Sequence, residues 1–199
     1  IVNDLVFDNP DPEVQIRTAY TQTNLMQKVR YAPNAEWDFT YGFHFSTTSD
    51  NPRYDRLIRT RDGLPRSAEW YYGPQVWMMH NLNATHRRSG GIYDILTVRT
   101  AYQRFEESRI DRDFNDTIRY IQEEFVDAYT VNLDLTKSLG KGKELIYGAE
   151  AVINEVSSNG TQEDITTGIR RPSAPRYPES EWASYGVYAT YRQELAKNL

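Results

Sequence analysis

The sequence has no cysteine among its 199 residues, which removes disulfides, thiolate catalysis and thiolate metal ligation, although it does not assign a compartment. It also lacks any run near the roughly 18 consecutive apolar residues of a membrane-spanning helix, and Ile1 opens no recognisable signal peptide. Positive charge is not in excess: 23 Lys and Arg stand against 28 Asp and Glu, a formal net charge of -5. That balance weighs against nonspecific nucleic-acid binding, which needs a cationic surface to release counterions. There is no initiating methionine, so the chain reads as an excised or mature fragment.

Aromatic residues are plentiful instead. Fifteen tyrosines, seven phenylalanines and four tryptophans sit in a chain whose mean hydropathy is only -0.73. Aromatic excess in a polar chain suits extended strands better than buried helices. Period-two patterning recurs in seven segments. The clearest places Trp37, Phe39, Tyr41, Phe43 and Phe45 on one side and Asp38, Thr40, Gly42, His44 and Ser46 on the other; a helix would scatter that row around its circumference. Alternation is weak at 24–31 and ambiguous in phase at 72–87, where Trp77, Met78 and Met79 adjoin and Pro74 belongs near the start. It returns in Leu96, Val98, Thr100 and Tyr102, in Phe125, Tyr129, Val131, Leu133 and Leu135, and in Leu145, Tyr147, Ala149, Ala151 and Ile153. The last row is Tyr185, Val187, Ala189 and Tyr191.

Short connections at 32–36, RRSGG and SLGKGK alternate with a long one after the second segment, an intermediate ESRIDRDFNDT and a second long one at 157–181. In an antiparallel meander, this rhythm gathers short turns at one end and longer loops at the other, as in an outer-membrane barrel. The segment lengths point the same way, because about nine to eleven tilted residues cross a bilayer, whereas strands of soluble sheets run to about five or six. Lys28, Arg30, His44, Arg99, Asn132, Asp134, Glu150 and Asn154 would then face a polar lumen. A solvent-exposed sheet face would suit those side chains equally well. Trp37, Tyr72, Trp77, Tyr93, Tyr120, Tyr147, Trp182 and Tyr191 lie near segment ends, where interfacial girdle residues are expected.

The runs GIYDILTVRTAYQRFEESRIDRDFND, VDAYTVNLDLTKSLGKGKELIYGAEAVINEV and ASYGVYATYRQ, with YAPNAEWDFTYGFHFSTTSDNPRYDRL and AEWYYGPQVWMMHNLN upstream, resemble the barrel domain of TonB-dependent outer-membrane receptors, especially those of Bacteroidetes-type bacteria. The resemblance covers nearly the whole chain. It implies a bacterial outer-membrane location and active uptake of a scarce nutrient such as a siderophore, vitamin or glycan. It further implies a 22-stranded barrel with an N-terminal plug, and a TonB-type coupling protein that engages a box before the plug. Neither plug nor box is visible in the sequence, and about seven strands cannot complete such a barrel. The expectation is therefore an all-β fold, with residues 1–199 forming a partial transmembrane β-barrel domain whose long external loops lie near 47–71 and 157–181.

Two loops offer ligand contacts. Arg53, Tyr54, Arg56 and Arg59 lie in the first, where guanidinium groups match the planar oxygen pairs of carboxylates or catecholates. Arg170, Arg171 and Tyr177 lie in the second, among prolines that also shape loops. Solvated tips with internal ion pairs remain the alternative for both. Lipid contact is expected for Trp37, Phe39, Tyr41, Phe43, Phe45, Tyr129, Val131, Leu133 and Leu135. No metal site is expected: His44, His80 and His86 lack a convergent ligand set, and Asp111, Asp113 and Asp116 lack the spacing of a calcium loop and read as solvated loop acids. No catalytic constellation and no cofactor are predicted. Gly140 to Glu144 lacks the full phosphate-loop order, so its glycines are assigned to a hairpin turn. Partners are then a nutrient ligand, outer-membrane lipid and the coupling protein, with no nucleic acid. A passive porin, a soluble β-sheet adhesion or carbohydrate-binding module, and an outer-membrane enzyme barrel remain open alternatives.

Overall fold

The computed structural model describes residues 4–195; Ile1 lies outside them. Seven long strands follow the alternating segments: β1 (Gln22–Tyr31), β2 (Trp37–Thr48), β7 (Val76–Arg87), β8 (Ile95–Asp113), β9 (Ile118–Gly140), β10 (Lys143–Asp164) and β12 (Ser180–Gln193). Shorter pieces fill the long connections. They are β3 (Asn51–Pro52), α1 (Tyr54–Leu57), the hairpin of β4 (Thr60–Arg61) and β5 (Leu64–Pro65), β6 (Ser67–Tyr72) and β11 (Arg170–Ser173). All pairings are antiparallel. One ten-stranded sheet runs β1-β2-β7-β8-β9-β10, with β12 and β11 both on the far side of β10 and β6 beside the distal end of β8.

Pairing register settles the faces. Phe43, His80, Tyr102, Tyr129 and Ile153 occupy one cross-strand row, so all nine expected lipid-contact residues share a single face, here the aromatic face. Register also resolves the ambiguous third segment, turning Met78, His80 and Leu82 to the aromatic face and Trp77 and Met79 to the other. The same test separates the expected girdle. Trp37, Tyr147 and Tyr191 lie on the aromatic face, but Tyr72, Trp77, Tyr120 and Trp182 lie on the opposite one, since each pairs in the other phase. These four therefore do not share a face with the expected lipid-contact residues.

Strand length departs from expectation at the end of the sheet away from the short turns. ESRIDRDFNDT is no loop of intermediate length: β8 continues to Asp113 and β9 begins at Ile118, because polar side chains on both faces can keep alternating there without breaking the ladder. Asp111 and Asp113 are thus strand residues. Likewise, residues 157–164 extend β10, and Arg170 and Arg171 pair with its end. The expected SLGKGK reversal is present, with Gly140 and Gly142 both at positive φ, +119 and +68, where side-chain-bearing residues are strained.

This sheet is a single layer. The described residues bury only three apolar side chains, Ala68, Ile110 and Leu135. The accessible surface is 13552 Å², whereas a compact monomer of this mass would expose roughly 9,700 Å². Among the described residues neither edge is paired: β1 is exposed along all ten residues, and β12 forms the opposite rim with Val187 87% exposed.

Candidate functional site

The two faces differ in chemistry before any site is considered. On the aromatic face, β2, β10 and β12 each carry five successive apolar residues in alternate positions over nine residues: Trp37 to Phe45, Leu145 to Ile153, and Ala183 to Tyr191. One row further from the short turns, Arg104, Asp127, Glu155 and Glu181 align across β8, β9, β10 and β12. On β8 to β12 the apolar band therefore ends at a charged boundary, whereas Phe45 and Met78 continue it through the same row on β2 and β7; Asp127 separates Phe125 from the rest of its expected row. Phe125 instead carries the Arg104 guanidinium, 5.3 Å from its ring centre.

Aromatic rings mark both margins of that band. Phe43, His80, Tyr102 and Tyr129 form a continuous lateral stack, with centroid separations of 4.9, 6.4 and 5.1 Å. The Tyr102 hydroxyl donates to Asp127 Oδ1 at 2.6 Å. At the other margin the Trp37 and His86 rings stack at 4.3 Å, His86 Nδ1 lies 2.8 Å from the Tyr93 hydroxyl, and the Tyr147 hydroxyl donates to the Ile92 carbonyl at 2.6 Å.

The opposite face carries a polar network. Arg30 grips Asp38 through Nε and its terminal nitrogen, Asn132 donates to Glu150 at 2.5 Å, and Asp134 accepts from both Arg99 and Tyr188. Tyr188 reaches Asp134 by crossing β10 at Gly148. A Cβ there would overlap the Leu133 carbonyl oxygen and the Tyr188 ring.

At the distal end of this polar face, two connections fold back onto the sheet. In the first, the Arg53 amide bonds the Trp70 carbonyl at 3.0 Å and starts α1, whose one turn sets Arg56 over the same strand. Arg53, Arg56 and Arg109 then lie with guanidinium carbons 5.3, 5.4 and 5.7 Å from the Trp70 ring centre. Tyr72 meets Trp70 edge to face at 5.0 Å and lies 5.5 Å below Arg53. A cavity of about 80 Å³ opens beside Trp70, lined by Arg56, Arg59, Arg66, Ser67, Asp111 and Asp113. Asp55 anchors Arg53 at 2.7 and 3.0 Å, and that hydrogen bond lowers the Asp55 carboxyl below its ordinary pKa. In the second connection, the Ser158 hydroxyl accepts from the amides of Arg176 and Tyr177, and Arg176 approaches Glu107 at 4.0 Å.

The expected ligand-contact residues thus divide. Arg53, Arg56 and Arg59 converge, with Tyr54 exposed at the start of α1. Arg170 and Arg171 do not join them, since β8, β9 and β10 intervene between β6 and β11, a separation of roughly 19 Å at the usual strand spacing; Tyr177 belongs to the second connection, its amide bonded to Ser158 of β10. Arg170 faces the other way, 3.5 Å from Glu163. It closes an ion-pair ladder on the aromatic face in which Arg112 and Arg119 hold Glu69 at 3.0 and 2.7 Å. Burial would raise the Glu69 carboxyl, but its bonds to Arg119 and Arg112 outweigh burial and lower it.

Trp70 and Arg109 enter the cluster without any local sequence signal. Only the pairing of β6 with β8, Trp70 opposite Asp111 and Tyr72 opposite Arg109, brings them together. Among the described residues, no group of three or more His, Cys, Asp or Glu side chains is placed to hold a metal ion. The arrangement offers cationic hydrogen-bond donors over an aromatic floor, which is equipment for binding. No protein-family model matches the chain, and no curated protein matches it either.

Proposed function

We propose that the chain is part of the barrel wall of a TonB-dependent outer-membrane receptor, with the aromatic face toward lipid, the polar face toward the lumen and the distal end outside the cell. The observation that carries this is the apolar band of the aromatic face. It is nine residues long on β2, β10 and β12, four of its rows are shared from β2 to β12, and on β8 to β12 the next row is charged; about nine to eleven tilted residues cross a bilayer. Its margins support the same orientation: Tyr102 and Tyr147 keep their rings in the band while their hydroxyls bond outside it, as interfacial aromatics do. A soluble sandwich would need a second layer against this band, and the described residues supply none. No helix among them is long and apolar enough to cross a membrane, which leaves strand insertion untouched.

The function follows from both ends of the wall. Lipid contact anchors it, the Arg99–Asp134–Tyr188 network lines a water-filled interior, and the arginine cluster around Trp70 meets arriving ligand. Uptake driven by a TonB-type coupling protein is drawn from the family resemblance and is tested with the whole receptor. Expression of the full-length polypeptide in a bacterial envelope is expected to give an outer-membrane protein with heat-modifiable migration and protease-protected strands. Its recovery as a soluble periplasmic protein would overturn the membrane assignment.

A further inference from the structure

We propose that the Trp70 cluster seats one oxyanion group, a phosphate or carboxylate borne by a soluble ligand. Three guanidiniums crowd one indole, and like charges converge at a cost unless an anion or carboxylate sits among them. Asp55 answers Arg53 with two hydrogen bonds. Arg109 donates a terminal nitrogen to Gln122, and Asp111 and Asp113 line the cavity, yet the Nε–H of Arg56 and that of Arg109 are each buried without a hydrogen-bond acceptor. Their nearest carboxylate oxygens, on Asp55 and Asp111, stand at 3.7 and 3.5 Å. A buried charged donor left without an acceptor is costly. Two such donors lie on the same cluster, and Arg56 also lines its cavity.

Size narrows the occupant. About 80 Å³ holds a few water volumes, enough for one tetrahedral or planar oxyanion and too small for a whole chelate or oligosaccharide. The rest of the ligand would extend outward over the polar face. Arginine favours such a group because its planar fork pairs with two oxygens at once, while the Trp70 face stabilises the cations from below. The inference deepens the receptor proposal by naming the chemistry of its cargo, and rests on it only for the side from which the anion arrives.

The test is calorimetric titration of the purified full-length protein with inorganic phosphate and, separately, acetate, with chloride as control. Saturable binding of phosphate or acetate is expected, and which binds more tightly assigns the oxyanion class. Arg56→Gln and Arg109→Gln should each weaken binding by about tenfold or more, the loss of a charge-assisted hydrogen bond. Arg171→Gln, an arginine of the same charge on β11, should leave it unchanged, and melting curves of each variant confirm folding. No saturable binding of either anion overturns the proposal, as does equal weakening by Arg171→Gln. Outer-membrane insertion without anion binding overturns this inference alone; anion binding by a soluble protein overturns the receptor proposal alone.

Discussion

At the scale of single residues, adjacent side chains on one strand are predicted to behave as if in different solvents. Val131 lies in the central part of the aromatic-face band and is 47% exposed, whereas Thr130 points to the polar face between Ala101 and Val152. Val131→Arg should cost about 2–4 kcal/mol of folding stability in lipid, the range for arginine near a bilayer midplane. Thr130→Arg should cost much less, since a guanidinium there meets the water and Glu150 of the polar side. Unfolding of the two variants in lipid vesicles measures the difference. Equal penalties would show that the two faces meet the same medium.

At the scale of the element, the turn between β7 and β8 is held by one carboxylate. Asp94 accepts from Lys137 Nζ at 2.8 Å, from the Ser138 amide at 2.7 Å and from the Gly90 amide at 3.3 Å, binding residues 88–94 to the end of β9. The Lys137 bond, then the Ser138 amide, lowers the Asp94 carboxyl from its ordinary pKa. A carboxyl whose folded pKa is lowered adds stability above its unfolded value of about 3.9, and that stability is lost as pH falls through the folded value. Acidification below about pH 4 should therefore speed amide exchange at Ser138 and Gly90, and Asp94→Ala should produce the same fast exchange at neutral pH. Protection that survives both changes would remove Asp94 from this role.

The whole molecule is defined by what it leaves uncovered. A single-layer sheet with an exposed apolar band and two unpaired rims is a template for further strands, and in lipid each unmet backbone group is costly. The 199-residue chain alone, in buffer without detergent, is expected to sediment well above its 23.2 kDa monomer mass. Lysine at Val29 in β1 and at Val187 in β12 should reduce that association by blunting both rims. A monodisperse wild-type monomer would mean that the rims are satisfied within the chain.

Alternation made much of this legible in advance. The rows Trp37 to Phe45 and Leu145 to Ile153 needed only period two, since successive strand side chains point to opposite faces whatever the neighbours do. Pairing was not encoded locally. Tyr72, Trp77, Tyr120 and Trp182 look like girdle residues by position, but register places them on the other face; Trp70 and Arg109 are 39 positions apart in the chain and meet because β6 pairs with the distal end of β8. The amino-acid sequence by itself determined that this protein is built of long amphipathic strands joined by tight turns, because side-chain alternation and glycine turns are properties of neighbouring residues. Only the tertiary structure decided which strands share a row, how far β8, β9 and β10 run beyond the apolar band, and which arginines surround Trp70, because each of these depends on hydrogen-bond register between segments distant in the chain.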